Sequence, residues 1–342
     1  MNIKIAVGAA FILGFAAAFF PGFAVIPWLR RLKFGQTILD IGPSWHKKKQ
    51  GTPTMGGLLI IGGFVLSVAA VLATRYLTGG DILFGEDEKK SVMYAKLLAG
   101  LLMALCMAMV GFMDDYIKVV KKRNLGLTER QKTCLQLIIA AVYLVTLYKN
   151  GVNYMFVPYY GYWANTFVFF ALGIIAIYCT VNAVNFTDGV DSLCSSVTLC
   201  VSVAFCVAAL LQKAMGLGVA ASALAGALGG FLCWNKNPAK VMMGDTGSLF
   251  LGGLVCAFAY TLDAPWLIIC FGIVYVLEFA SDILQIFWSW THHGARLFRM
   301  APLHHHYEKG GWSENRISLV FSLISILGGA AGIALMIFGK PV

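Results

Sequence analysis

Apolar runs of about the length needed to cross a bilayer recur along this 342-residue chain, and backbone buried in lipid must satisfy its own hydrogen bonds. About ten can be read, at residues 3–26, 55–77, 92–112, 133–149, 164–183, 192–211, 217–233, 247–262, 265–288 and 317–338. The expected fold is therefore all-α: a polytopic integral membrane protein of about ten transmembrane helices, forming one domain over 1–342. Composition agrees, since 59% hydrophobic and 12% charged residues exceed what a soluble core of this length requires. The first run is longer than the apolar region of a signal peptide and carries its positive cluster after it, so it should stay as the first span. Nine cysteines lie almost all within apolar runs, without a C-x-x-C pair, and read as small core residues.

The connections alternate in character. Those at 27–54, 113–132, 184–191, 234–246 and 289–316 hold 18 of the 26 Lys and Arg. By the positive-inside rule these five face the cytoplasm and both termini face outside. The other connections are short and mostly featureless, and 78–90 is acidic at Asp81, Glu86, Asp87 and Glu88. Every polar stretch that carries chemistry falls on the cytoplasmic side. A transporter would place its ionisable groups near mid-span, and only Glu278 and Asp282 do so.

The run from Ser91 to Phe112 stops at Asp114-Asp115. These acids sit where a helix meets water, near its negative C-terminal pole, so a positive group is expected close by. Two carboxylates this close repel, and one can then serve as a base near neutral pH. The plainer alternative makes Lys118 and Lys122 their counter-charges, with the acids marking only the membrane edge.

Four further stretches carry candidates. In Trp45-His46-Lys47-Lys48-Lys49-Gln50-Gly51-Thr52-Pro53-Thr54-Met55-Gly56-Gly57, the irregular backbone, Lys49 and the Thr54 hydroxyl can contact phosphate oxygens, or the lysines can meet anionic lipid. Asn182, Asn185, Asp188 and Asp191 crowd a connection of a few residues, which suits a lined pocket or an Asn-rich turn. Asn235, Asp245 and Ser248 flank the start of the eighth span. There Asp245 reads either as a helix cap or as a ligand for Mg²⁺ brought by phosphates, with Gly244 and Gly247 permitting close approach. Glu278, Asp282 and Gln285 share one helical face turned into the bundle. His304, His305 and His306 follow, a poor metal motif because neighbouring side chains diverge; at least one suits a donor or acid/base role.

Adjacent acids, a second acid at a helix start, a basic glycine-containing loop, an Asn/Asp pocket and histidines form the inventory of phosphoryl transfer. The net charge of +10 fits an anionic substrate and anionic lipid equally. Scattered basic groups on short connections argue against nucleic acid.

Gly-Thr-Pro-Thr-Met-Gly-Gly at 51–57, Gly-Phe-Met-Asp-Asp-Tyr at 111–116, Asn-Phe-Thr-Asp-Gly-Val-Asp at 185–191, Met-Gly-Asp-Thr-Gly-Ser at 243–248 and Pro-Leu-His-His-His-Tyr-Glu at 302–308 resemble, in order, the phospho-N-acetylmuramoyl-pentapeptide transferase family. That family lies within the polyprenyl-phosphate N-acetylhexosamine-1-phosphate transferase superfamily. The resemblance implies transfer of phospho-MurNAc-pentapeptide from UDP-MurNAc-pentapeptide to undecaprenyl phosphate, giving lipid I and UMP. It further implies Mg²⁺, peptidoglycan synthesis at the bacterial inner membrane, ten spans and a homodimer. By motif position Asp245 would ligate the metal. Asp114 and Asp115 would be the essential pair, and His304 would join them at the catalytic centre. Lys49, Thr54, Asn182, Asn185, Asp188, Asp191, Asn235, Ser248, Gln285, His305 and His306 would bind substrate. Met242, Ser192 and Asp282 depart from the family pattern, where an aromatic residue, Gly and an apolar residue are usual. A related UDP-N-acetylhexosamine:polyprenyl-phosphate transferase is the alternative, against which the 302–308 stretch speaks.

Overall fold

The computed structural model describes residues 2–31, 49, 51–79, 90–120 and 126–339. Trp45 to Lys48, Gln50, Lys122 and the acidic 81–88 stretch fall outside the described residues. Among the described residues thirteen helices and one hairpin follow in the order α1 Ile3–Phe19, α2 Gly22–Arg31, α3 Gly57–Leu77, α4 Lys90–Val120, α5 Glu129–Lys149, β1 Tyr154–Val157, β2 Gly161–Ala164, α6 Thr166–Thr187, α7 Leu193–Leu211, α8 Met215–Asn235, α9 Gly244–Thr261, α10 Leu267–Phe271, α11 Ile273–Thr291, α12 Leu303–Lys309 and α13 Glu314–Phe338. Among the described residues nine helices are long and apolar enough to cross a membrane, with α1 and α2 counted as one run. The protein is a polytopic membrane protein, nearly all-α.

Helix starts follow local chemistry. Asn2, Asn165 and Ser313 each accept a backbone N–H from the first turn of α1, α6 and α13, and Thr128 with Gln131 closes a reciprocal capping box at α5. The expected span 247–262 exists as α9. It is not apolar enough to be counted among the nine, because its first turns are polar; all residues from Thr246 to Thr261 are buried, so protein rather than lipid surrounds it. The expected span 265–288 is divided at Gly272 into α10 and α11. A side chain at Gly272 would meet the Ile268 carbonyl at 2.6 Å. The connection after α5 is not featureless, for Tyr154–Val157 pairs antiparallel with Gly161–Ala164.

Small residues bring backbones together. A Cβ at Gly14, Gly226 or Gly230 would fall within 2.4 Å of a carbonyl oxygen of the facing helix, which holds α1 against α8. Gly111 on α4 lies similarly against the first turn of α9, where a Cβ would meet the Asp245 carbonyl oxygen at 2.1 Å. At one end of the bundle the hairpin meets the α9–α10 turn and the end of α13, through Phe156 N–H to Asp263 O and Tyr159 N–H to Gly339 O. Buried Lys96 pairs there with Asp263 at 2.8 Å. At the opposite end the connections following α4, α6, α8 and α11 converge, and there the polar groups collect.

Candidate active site

Helix α4 does not stop at the acids. It continues to Val120, which places Lys118 one turn beyond Asp114 as its ion-pair partner. The same ammonium lies 3.3 Å from Asp245 Oδ2, and Lys132, on the first turns of α5, lies 2.9 Å from that oxygen. Asn185 Nδ2 donates to Asp245 Oδ1 and to Ser248 Oγ, both at 2.8 Å. Asp245 is thus the hub at which α4, α5, α6 and α9 meet. Lys118 meets the expectation of a positive charge beside Asp114, and Lys132, which sequence reading had not singled out, adds a second at Asp245.

Asp115 differs from its neighbour. Its Oδ2 accepts the Thr246 backbone N–H at 2.9 Å and the Thr246 hydroxyl at 2.7 Å, while Oδ1 accepts the Asp245 N–H at 3.3 Å. It therefore satisfies the first amides of α9 from another helix. Asp114 Oδ1 accepts the Leu127 N–H at 2.8 Å, leaving Oδ2 to Lys118. Gly126 packs directly on this carboxylate. Oxygens of Asp114, Asp115 and Asp245 lie within 4.8 Å of one another, close enough to hold a metal ion. The all-oxygen, anionic donor set suits a hard divalent cation. Lys118, already shared by Asp114 and Asp245, shows that the gap between them draws positive charge.

Around this centre the strand-like contacts of Met242 N–H with Pro53 O, Gly56 N–H with Met242 O and Gly57 N–H with Met243 O bind the 53–57 segment to the approach to α9. Gly244 has φ +74°, and a Cβ there would lie 2.6 Å from Thr54 Oγ1 and 2.7 Å from Asp115 Oδ2. Only glycine permits this backbone at that distance, so Thr54 and Asp115 both pack on Gly244. Asp188, at the end of α6, faces the same centre. Burial, together with the Asp245 and Asp115 carboxylates, pushes its carboxyl well above the ordinary range, against the opposing pull of the Gly244 amide and Lys49.

Other expected site residues lie further out. Lys49 bridges Asp191 at 2.8 Å and Glu314 at 2.6 Å. Asp191 also holds Asn237 Nδ2 and the Ala239 N–H, each at 2.9 Å. Asn182 Nδ2 donates to Gln136 Oε1 and to the Tyr178 carbonyl, one turn back along α6. Gln285 Oε1 accepts the Phe298 N–H at 2.9 Å, fixing the segment after α11. His304 is buried against Glu278, His305 Nδ1 lies 2.9 Å from Glu308 and His306 Nδ1 accepts the Arg299 N–H. Ser192 adopts φ +64° with its N–H on Asn235 and its hydroxyl 3.1 Å from that of Ser318.

Asn235 is enclosed by protein. It receives the Ser192 N–H and Ser195 hydroxyl and donates to the Val241 carbonyl. Asn235→Ala is expected to leave these three groups without partners and to cost at least about 3 kcal/mol of stability, taking the low end of about 1–3 kcal/mol per stranded buried group. The thermal midpoint in detergent should fall, while KM of the folded fraction should hold.

Sequence reading missed Lys132, Thr246 and Glu314. The Thr128–Gln131 capping box fixes the start of α5 and so puts Lys132 just inside it, but its approach to Asp245 depends on how α5 packs. Glu314 reads in sequence as an ordinary first-turn acid of α13.

An acid cluster at one end of a polytopic helical bundle, paired with Lys118 and Lys132, is the candidate site, and residues 97–263 match the family described as Glycosyl transferase family 4. Residues 49–61 match signature 1 of the phospho-N-acetylmuramoyl-pentapeptide-transferases. The chain is 41% identical to the phospho-N-acetylmuramoyl-pentapeptide-transferase of Listeria monocytogenes over 92% of its own length and 93% of that protein. It is 41% identical to the same-named protein of Carboxydothermus hydrogenoformans over 93% and 95%, and 40% identical to that of Bacillus thuringiensis over 97% of each. The chain belongs to the phospho-N-acetylmuramoyl-pentapeptide-transferase family.

Proposed function

We propose that this chain transfers phospho-MurNAc-pentapeptide from UDP-MurNAc-pentapeptide to undecaprenyl phosphate, releasing UMP and forming lipid I. The observation that carries this reading is the convergence of Asp114, Asp115 and Asp245 with Lys118 and Lys132 at one end of the apolar bundle. A lipid phosphate held at the membrane surface and a water-soluble nucleotide can meet there. In this reading the chain acts as a single domain over 1–342, in the bacterial cytoplasmic membrane, with its site on the cytoplasmic face and both termini outside. It works as a homodimer in peptidoglycan synthesis.

Asp245 and Asp114 would hold Mg²⁺, which supplies neutralisation of the substrate's diphosphate charge. Asp115 is committed to the start of α9 and keeps Asp245 in place. Asp114 Oδ2 takes the proton of the lipid phosphate, whose oxygen then attacks the sugar-linked phosphorus in line. Lys118 and Lys132 stabilise charge on the oxygens in transit. Thr54, Asn185, Asp188 and Ser248 line the nucleotide side, with Lys49 exchanging its carboxylate partners for phosphate. Asn182, Asp191, Asn235 and Gln285 support this cleft, and His304, His305 and His306 flank it.

The test is UMP release by the purified protein in detergent. Release that needs undecaprenyl phosphate, Mg²⁺ and UDP-MurNAc-pentapeptide together is the expected result. Turnover of UDP-N-acetylglucosamine instead would transfer the assignment to the related N-acetylhexosamine enzymes, and inertness of folded protein to both donors would refute it.

A further inference from the structure

Glu278 and His304 form a pair to which the chemistry above gives no work. Glu278 is fully buried, and both its carboxylate oxygens turn to His304. The His304 backbone N–H lies 3.2 Å from Oε1 and 3.4 Å from Oε2, and ring Nδ1 lies 3.0 Å from Oε2. The backbone N–H donates to the carboxyl group, and Nδ1 completes the contact as donor when Glu278 is the carboxylate. Nε2 is then the free nitrogen of the ring. It is buried and has no hydrogen-bond partner among the described residues. It points at the backbone of Gly189, where a Cβ would fall 2.1 Å from it. Gly189 belongs to the loop that carries Asn185, Asp188 and Asp191. A buried nitrogen without a partner is destabilising, so the ring stays in this orientation only because the Glu278 contacts hold it there.

We infer that Glu278 is a positioning residue for His304, fixing its ring and tautomer so that Nε2 is set against Gly189 in the loop that carries Asn185, Asp188 and Asp191. This rests on the transferase reading. A carboxylate behind an imidazole sets which nitrogen is protonated and raises the basicity of the other. Held in this way, the ring keeps one orientation against the Gly189 backbone. The absence of a side chain at residue 189 is what leaves the ring this approach.

The test uses full-length wild type, Glu278→Gln, His304→Asn and the double variant, with thermal midpoint, kcat and KM measured in the UMP-release assay. Wild-type turnover establishes the reading on which the inference rests; its failure would sink that reading and is told apart by the wild-type arm alone. Given turnover, each single variant should lose roughly 10- to 100-fold in kcat. The double variant should lose no more than His304→Asn, and Glu278→Gln should keep a near wild-type midpoint. Losses that multiply in the double variant, or a kcat of Glu278→Gln equal to wild type, would overturn the inference. Should Glu278→Gln not fold, ¹⁵N-histidine spectra of wild type decide it. The signal that disappears in His304→Asn must be protonated at Nδ1, and a ring protonated only at Nε2 overturns the inference.

Discussion

Asp245→Asn is expected to lower kcat for UMP release by at least about a thousandfold, the upper range for removing one preorganised electrostatic contributor. Asn185, Lys118 and Lys132 all converge on this carboxylate. The amide keeps the shape and the Asn185 contact but removes the charge that balances two lysines and that would help hold a divalent ion. The variant should still bind UDP, because Thr54 and Ser248 are untouched. If Asp245 were only a first-turn acid of α9, the change would cost about 0.3–1 kcal/mol of helix stability and little turnover. Parallel titration of UDP binding and measurement of kcat separate these outcomes.

Gly111→Ala is expected to be nearly as damaging without removing any polar group. Its added methyl would sit 2.1 Å from the Asp245 carbonyl oxygen and 2.4 Å from its carbon, so α4 and α9 must move apart. Overpacking of this kind costs about 1–3 kcal/mol, and a displacement of about 1 Å at catalytic groups costs on the order of a hundredfold in rate. Asp114, one turn along the same helix, moves with it. Gly62→Ala is the control, since nothing lies within 4 Å of its added methyl. A thermal midpoint lowered by several degrees together with a strong loss of kcat is predicted for Gly111→Ala alone. A Gly111→Ala variant indistinguishable from wild type would contradict the close approach of α4 to α9.

The helices were legible because lipid demands long apolar runs, and the acids were legible because they interrupt or border those runs. Asp114, Asp115 and Asp245 stand out in that way, whatever their partners. What each acid touches was not legible. Asp115 and Asp114 are neighbours in sequence with the same local composition, yet one is used to satisfy α9 amides and the other keeps an oxygen on Lys118. That division depends on a helix 130 residues away. Lys132 and Glu314 acquire partners only when α5 and α13 are packed, and Asn235 reads the same in sequence whether it faces a cleft or, as it does, three protein groups. The break at Gly272 and the hairpin at 154–164 lie in stretches whose hydropathy does not distinguish a continuous span from a divided one, or a plain turn from a paired one.

The most direct test of the proposed cation site is Mn²⁺ binding in the presence of UDP, read by an anomalous difference map on crystals and by spin resonance in detergent. One bound ion per chain between Asp114 and Asp245, lost in Asp245→Asn, is the predicted result. An ion bound elsewhere, or equal binding in Asp245→Asn, would contradict the assignment of the acid hub as the site that receives the donor's phosphates.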